Sequence, residues 1–143
     1  MRRPIVILGL CVLGLATVAR AEDIAPGLWE LALEAAVEAD PAFQPGPMTV
    51  RQCVTRDDAR DPGKILGPIS SAGASDCSYA AKSYVGRVFR FTLQCSGTLQ
   101  LRTTGEVTFS GAALRGVLTT SSAIEGKPVE FRSTLVGHRI GEC

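Results

Sequence analysis

Few side chains in this 143-residue sequence have both the chemistry and the spacing that catalysis or metal binding requires. The single histidine, His138, could act as a general base because imidazole titrates near neutral pH, but it has no partner in a recognised nucleophile motif. Asp57, Asp58 and Asp61 could bind a hard cation. Their spacing matches no calcium-binding loop and favours helix capping and solvated charge instead. The sequence therefore predicts no catalytic residue, no cofactor and no metal site.

A set of arginines at alternating strand positions offers a possible anion-binding face. In the strand pattern described below, one face carries Arg90, Arg102, Arg115 and Arg132. That pattern makes Arg102 and Arg132 flank Thr119 and places Glu106 opposite Arg115. Cross-strand pairs of this kind are ordinary surface features, so a solvated surface is the favoured interpretation and anion binding the alternative.

The cysteines indicate an oxidising compartment. Cys11 lies in an N-terminal apolar segment, which leaves an even number in the remaining chain: Cys53, Cys77, Cys95 and Cys143. An even count in a small exported domain predicts disulfides, and no pair has the close spacing of zinc ligands. The favoured pairing joins Cys53 to Cys77 and Cys95 to Cys143. The alternative joins Cys77 to Cys95 and Cys53 to Cys143.

The N-terminus resembles a secretory signal peptide. Arg2 and Arg3 precede an apolar core over residues 5–18, and Ala19-Arg20-Ala21 supplies a small-residue cleavage site. The core is too short for a comfortable membrane span. We therefore expect residues 1–21 to be removed on export, leaving residues 22–143 as a single disulfide-linked β domain without a transmembrane segment.

The charge balance disfavours nucleic-acid binding. The signal segment contains three of the 15 basic residues and none of the 14 acidic ones, so the mature chain would carry a slight acidic excess. A DNA- or RNA-binding domain normally shows a basic excess or patch. Nucleic acid is accordingly not an expected partner.

Residues 88–136 alternate between apolar and polar side chains in four runs separated by glycine-containing turns. This pattern predicts an antiparallel meander with one dry and one wet face. Because a one-residue slip would reverse the faces, the pattern requires particular turn lengths: a three-residue loop Ser96-Gly97-Thr98 and two-residue turns at Ser110-Gly111 and Glu125-Gly126.

The same register places two glycines opposite each other inside the sheet. Gly105 would face Gly116, with Phe89 on one side and Leu135 on the other. Glycine within a strand packs nothing, so the pair predicts a close approach or a bend covered by the ring of Phe89.

The segment before the meander predicts three more strands and a short helix. Between residues 28 and 38 the composition favours a helix, but the alternation of apolar residues with glutamates favours a strand. Residues 48–54 form a second strand, and Thr55 with Asp58 resembles a capping box that begins a helix over residues 55–60. Residues 61–76 are predicted to form a loop, and residues 77–84 a strand.

Several motifs in fixed order resemble the DUF3617 family of exported Gram-negative bacterial proteins. They are Pro26-Gly27-Leu28-Trp29-Glu30, Gln52-Cys53-Val54-Thr55, Asp76-Cys77, Thr104-Gly105-Glu106-Val107 and the ending Gly137-His138-Arg139-Ile140-Gly141-Glu142-Cys143. The resemblance implies a periplasmic protein of unknown function and brings no catalytic residues. His138 stands where the family more often has Arg or Lys, and Asp57 departs from its usual Pro-Glu pair.

These observations predict a mainly β fold: an antiparallel meander forming a curved sheet or a partly closed small barrel, with one short helix. The function expected of it is non-catalytic binding of a small hydrophobic ligand or an envelope protein. Alternatives are an inhibitor of an envelope-directed hydrolase and an enzyme with an unrecognised site. A cavity lined by Phe89, Phe91, Leu101 and Phe109 would favour ligand binding, and a filled core would favour surface interaction.

Overall fold

The fold consists of one antiparallel sheet with a helix on one face. It was obtained as a computed structural model and is described for residues 24–37, 42, 46–71 and 73–143; the predicted signal peptide lies outside these residues. The strands are β1 (Gly27–Ala36), β2 (Met48–Val54), β3 (Cys77–Val85), β4 (Val88–Cys95), β5 (Leu101–Ser110), β6 (Ala113–Ile124) and β7 (Lys127–Gly141). A 3₁₀ turn (Asp58–Arg60) and helix α1 (Pro62–Ser70) separate β2 from β3.

The strand order is β2-β1-β7-β6-β5-β4-β3, so β2 and β3 are the two edges of an open sheet. The four predicted strands of the meander are β4 to β7, and β3, also predicted, extends the meander at its edge. The hairpin of β1 and β2 joins it through the pairing of β1 with β7. The mainly β fold is confirmed. The sheet does not close into a barrel.

The residues of β1 form a strand, as their alternation predicts. Trp29 and Leu31 are fully buried, whereas the intervening Glu30 and Ala32 are only partly buried. Leu31 lies opposite Val50 on one side and Gly137 on the other. Packing across the sheet therefore outweighs the helix propensity of this alanine- and glutamate-rich segment.

The predicted faces of the meander are correct, but two of its pairings are shifted by two residues. Cys95 lies opposite Leu101, and Glu106 lies opposite Val117 instead of Arg115. The loop after β4 is longer than predicted because the Ser96 and Gly97 amides donate to the carbonyls of Asp76 and Ser75. An even shift keeps every side chain on its predicted face.

The predicted turn after β5 is displaced by one residue, whereas the predicted turn after β6 is correct. The two residues of the first turn are Gly111 and Ala112, because Ser110 pairs with Ala113 and its hydroxyl donates to the Ala113 carbonyl. The second turn is Glu125-Gly126, as predicted. Both of its residues have positive φ, 50° and 74°, the backbone conformation of a type I′ hairpin turn.

The predicted glycine pair does not form. Gly105 lies opposite Phe91 and Leu118, and the ring that covers it is that of Phe91 instead of Phe89. Gly116 lies opposite Val107 and, as predicted, Leu135. The two-residue shift of β5 along β4 replaces Phe89 by Phe91 opposite Gly105, and the two-residue shift of β6 along β5 separates the two glycines.

The prediction of a loop over residues 61–76 is wrong, because α1 occupies Pro62–Ser70. The Asp61 carboxylate accepts a hydrogen bond from the Gly63 amide and caps the helix, and Pro62 stands at the first helical position, where its missing N–H costs nothing. Ile65, Leu66 and Ile69 are fully buried against the sheet. The burial of this apolar side stabilises a helix whose glycines and internal proline disfavour it.

One hydrophobic core lies between α1 and the inner face of the sheet. Besides the three apolar residues of α1, it contains Trp29, Leu31, Phe89, Phe91, Phe109, Leu114, Leu118 and Leu135. The rings of Phe89 and Phe91 stack with their centroids 5.4 Å apart, and Tyr79 meets Phe91 edge-on. These side chains pack together as one cluster beneath the helix.

The disulfides join Cys53 to Cys143 and Cys77 to Cys95. The favoured pairing of Cys53 with Cys77 and Cys95 with Cys143 is therefore wrong, and the alternative is correct. Cys77 lies directly opposite Cys95 in the pairing of β3 with β4. Leu28 of β1 has Cys53 on one side and Gly141 on the other, so the placement of β1 beside β7 brings Cys53 to the C-terminus.

Candidate functional site: an apolar cavity beside the helix

The four arginines of the predicted anion face do not converge. Arg90, Arg102, Arg115 and Arg132 are all exposed on the face opposite α1, but each occupies a different cross-strand row. Arg90 forms an ion pair with Glu106, with a nitrogen–oxygen distance of 2.8 Å. Arg132 lies beside Thr119, whose other neighbour is Thr104 instead of Arg102. Anion binding by these residues stays a prediction.

The aspartates near α1 have structural partners. Asp58 accepts hydrogen bonds from the backbone amide and hydroxyl of Thr55, and the Asp58 amide donates to that hydroxyl. This is the predicted capping box, but a 3₁₀ turn over Asp58–Arg60 follows it instead of the predicted helix over residues 55–60. The hydrogen bond from the Thr55 hydroxyl, and to a smaller extent the one from the Thr55 backbone amide, lowers the pKa of Asp58. Asp57 pairs with Arg60, and Asp61 pairs with Lys82 at 3.0 Å. The described residues contain no cluster of three or more groups that could bind a metal ion.

The single histidine lies away from these groups. His138 is exposed on the outer face, between Glu30 of β1 and Ala113 of β6. Its cross-strand neighbours offer no serine or cysteine to activate as a nucleophile.

A cavity of about 260 Å³ opens on the inner face of the sheet, next to the C-terminal end of α1. It lies where the helix no longer covers β1, β5, β6 and β7. Its wall is formed by inward-facing strand residues and the end of the helix: Leu33, Ala35, Ile69, Ser70, Leu99, Leu101, Leu118, Thr120, Ser122, Phe131 and Ser133. None of these described residues is charged, so the cavity presents hydrocarbon and a few hydroxyls.

Two of the four hydroxyls in the cavity wall, those of Thr120 and Ser122, already use their proton. Thr103, which is fully buried just behind the wall, donates to the Ser70 carbonyl at 3.2 Å and lies 2.9 Å from the Thr120 hydroxyl. Because a hydroxyl has one proton, Thr120 must donate to Thr103. Ser122 donates to the Gln100 carbonyl at 2.8 Å. These bonds satisfy the backbone carbonyls of the helix end and the loop.

The Ser70 hydroxyl is different. Ser70 is 3 % exposed, and its Oγ is the one fully buried side-chain polar atom of the described residues without a hydrogen-bond partner. A buried, unpaired hydroxyl costs about 1–3 kcal/mol of desolvation. The cavity wall therefore contains one unsatisfied polar group in an apolar setting.

The position of this cavity was only partly foreseen. Of the four residues whose presence around an interior cavity would favour ligand binding, Leu101 lines this one, whereas Phe89, Phe91 and Phe109 belong to the core beneath α1. The alternation of their strands places Leu33, Leu118 and Phe131 on the apolar side. Ile69 and Ser70 were missed because their segment was assigned to a loop.

A larger depression of about 500 Å³ lies across the outer face, over Arg90, Thr92, Thr104 and Glu106. Solvated polar side chains and the Arg90–Glu106 ion pair line it. This depression is more open than the inner cavity and lies among charged side chains, so the inner cavity is the better candidate for binding a small molecule.

A family model described as "Protein of unknown function (DUF3617)" matches residues 24–143. The chain belongs to the DUF3617 family. This confirms the resemblance noted from the ordered motifs, and it covers every described strand and both helical elements. No curated protein and no solved structure matched the chain. Within the described part of this DUF3617 protein, no helix is long and apolar enough to cross a membrane.

Proposed function

We propose that this DUF3617 protein is an exported, periplasmic binding module that takes up a small apolar ligand in the cavity beside α1 and catalyses no reaction. The cavity itself carries the proposal: it is concave, lined by apolar side chains and placed where the helix leaves the inner face of the sheet uncovered. Natural ligand sites have this character, with a mostly apolar lining and few polar groups.

The size of the cavity suits a small ligand. Its volume of about 260 Å³ exceeds that of the ~150 Å³ apolar cavity known to bind benzene. It approaches the roughly 300 Å³ at which pockets for drug-sized ligands begin. A ligand of several carbon atoms would be removed from water by Leu33, Leu101, Leu118 and Phe131, and the hydrophobic effect would drive its binding.

The proposal of export rests on other features. The N-terminal segment resembles a cleavable signal peptide, and two disulfides persist in oxidising compartments such as the periplasm. The intact mass of protein isolated from periplasm should correspond to a chain that begins at Glu22 and has no free thiol. A mass that retains the first 21 residues would contradict the proposed processing.

Filling the cavity tests the proposed binding. Ser133 lies in the cavity wall and is 5 % exposed, whereas the next residue, Thr134, is exposed on the opposite face. We expect Ser133→Phe to occupy the cavity with its ring and to weaken n-heptane binding more than tenfold, because the apolar space is no longer available. Thr134→Phe should leave binding unchanged.

The measurement is titration with n-heptane, followed by the NMR shifts of amides in the cavity wall. Circular dichroism establishes that each variant is folded. If Ser133→Phe does not fold, Leu33→Trp replaces it, since Leu33 is only partly buried. Wild-type protein whose cavity amides do not respond, or a filled variant that binds as the wild type does, would contradict the proposal.

A further inference from the structure

We infer that the cavity selects an uncharged ligand that carries an oxygen acceptor on its apolar body, such as a ketone, an ester or an ether, and that Ser70 donates the hydrogen bond that recognises this oxygen. The inference rests on the proposed binding function and assigns its ligand class. Two features of the cavity wall support it: the hydrogen bonds that its hydroxyls make or lack, and the absence of charged side chains among its described residues.

Ser70 is the residue suited to this role because its proton is uncommitted. Of the four hydroxyls in the cavity wall, those of Thr120 and Ser122 donate within the protein, to Thr103 and the Gln100 carbonyl respectively, whereas those of Ser70 and Ser133 have no such bond among the described residues. Of the latter two, only the Ser70 Oγ is fully buried. The Ser70 Oγ lacks a partner although the residue lines the cavity. Buried hydroxyls are normally hydrogen-bonded, so an acceptor brought in by a ligand would satisfy a group that the protein leaves unpaired.

The absence of charge narrows the ligand class. No arginine, lysine, aspartate, glutamate or histidine is among the described residues that line the cavity. A carboxylate or ammonium group entering it would lose its hydration without gaining an opposite charge, which is costly. A neutral oxygen loses much less hydration and can recover it through one hydrogen bond.

The backbone supports this geometry at the end of α1. Thr103 donates to the Ser70 carbonyl at 3.2 Å, which fixes the main chain of Ser70 against β5. Ile69, its neighbour in the helix, is fully buried in the core. The main chain of Ser70 is thus held in place beside the cavity, with its hydroxyl buried and unpaired.

Three probes of equal chain length separate the possibilities: 2-heptanone, n-heptane and heptanoate at pH 7.5. We expect Ser70→Ala to raise the Kd of 2-heptanone about two- to tenfold, the value of one neutral hydrogen bond, and to leave the Kd of n-heptane unchanged. Heptanoate should bind the wild type at least about tenfold more weakly than 2-heptanone because its carboxylate must be desolvated. Ser133→Ala tests the other unpaired hydroxyl of the wall. Thr134→Ala, which removes a hydroxyl from the opposite face of the sheet, is the control and should leave the Kd of all three probes unchanged.

The outcomes distinguish the two proposals. If neither n-heptane nor 2-heptanone shifts the cavity amides of the wild type, the proposed binding function fails and the ligand class fails with it. If n-heptane binds but Ser70→Ala leaves 2-heptanone unaffected, the cavity binds apolar molecules and the role of Ser70 is overturned. A loss seen in Ser133→Ala instead would overturn the assignment to Ser70, and tight heptanoate binding would overturn the selection of neutral ligands.

Discussion

At Gly105 the sheet has no room for a side chain. A β-carbon placed there would lie 2.5 Å from Cζ of Phe91, the aromatic residue directly opposite. Phe91 is itself almost fully buried and stacked on Phe89, so its ring has little freedom to move. We expect Gly105→Ala to lower the free energy of unfolding by about 1–3 kcal/mol through overpacking.

Gly141 provides the matched control, because a β-carbon there would meet no atom within 4 Å. Gly141→Ala should stay within about 0.5 kcal/mol of the wild type, as expected for an uncrowded surface position. Urea denaturation of both variants provides the comparison. Equal stability of Gly105→Ala and Gly141→Ala would show that Phe91 does not cover Gly105.

Tyr79 couples the helix to the sheet and makes stability depend on pH. Its hydroxyl donates to the Gly63 carbonyl at 2.6 Å, and burial, with a smaller contribution from Asp61, raises the pKa of Tyr79 to about 12. The unfolded chain would lose this proton near pH 10. The contribution of the neutral phenol to stability is therefore complete below pH 10 and is lost as the pH rises toward 12.

We expect Tyr79→Phe to remove this pH dependence. The free energy of unfolding of the wild type should fall more steeply between pH 10 and 12 than that of the variant, since the variant has no phenol to titrate. Below pH 10 the variant should be less stable by about 0.5–1.5 kcal/mol through loss of the hydrogen bond. Parallel pH profiles from denaturant unfolding would exclude the role assigned to Tyr79.

The faces of these residues could be predicted from sequence, whereas their partners could not. Alternation fixes whether a strand residue points inward, and Leu101, Val107 and Phe109 are all buried as predicted. A shift of two residues leaves alternation unchanged, so the pattern could not distinguish Glu106 opposite Val117 from Glu106 opposite Arg115. The hydrogen bonds that set the loop lengths, such as those of Ser96 and Gly97 to the chain before β3, involve residues distant in sequence.

Among the elements, the two disulfides differ in what they constrain. Cys53–Cys143 joins residues 90 positions apart and fastens the edge strand β2 to the C-terminus, whereas Cys77–Cys95 joins residues 18 apart at the start of the opposite edge. A disulfide lowers the entropy of the unfolded chain, and the resulting stabilisation of the fold grows with the length of the closed loop. It amounts to roughly 4–5 kcal/mol for the longer loop and about 3 kcal/mol for the shorter.

We accordingly expect Cys53→Ser/Cys143→Ser to destabilise the protein more than Cys77→Ser/Cys95→Ser. Calorimetric melting of the two double variants provides the measurement, and peptide mapping without reduction confirms the remaining bond in each. A larger loss for the Cys77–Cys95 variant would mean that local packing between β3 and β4, and not chain entropy, dominates.

Helix α1 was not predicted, although some of its signals are present in the sequence. Asp61 followed by Pro62 is a typical helix start, and Ile65, Leu66 and Ile69 have the spacing of one helical face. Gly63, Gly67 and Pro68 have poor helix propensity and favour a loop. The segment forms a helix because its apolar side covers the inner face of the sheet. That face exists only once the strands have paired, so the sequence of the segment alone does not reveal it.

At the scale of the whole molecule, the order of the strands explains both the disulfides and the site. The sequence predicted two N-terminal strands and a meander but contained no local signal that β1 pairs with β7, because that contact joins the two ends of the domain. Once it forms, Ala35 of β1 lies opposite Ser133 of β7, and Leu33 and Phe131 join them in the cavity wall. The cavity therefore belongs to the assembled sheet and could not be read from either segment.

The same strand order predicts where the sheet opens first. Strand β7 lies near the centre and contains the fully buried Leu135, paired with Leu33 on one side and Gly116 on the other. On the edge strand β3, every residue from 80 to 85 is exposed, and a bulge interrupts the pairing between Tyr79 and Ala81. Apart from the edge-on contacts of the Tyr84 ring with Phe89 and Phe109, few apolar contacts oppose local opening there.

We expect the β3 amides of residues 81–85 that bond to β4 to exchange with deuterium at least about tenfold faster than the hydrogen-bonded amides of residues 133–137, because β3 can detach without unfolding the core. Ser78 provides an internal control, since the adjacent Cys77–Cys95 bond ties the start of the same strand to β4. Residue-resolved hydrogen exchange by NMR measures all three sets in one sample. Equal protection of residues 81–85 and 133–137 would mean that the sheet opens only as a whole, and that its exposed edge is as stable as its centre.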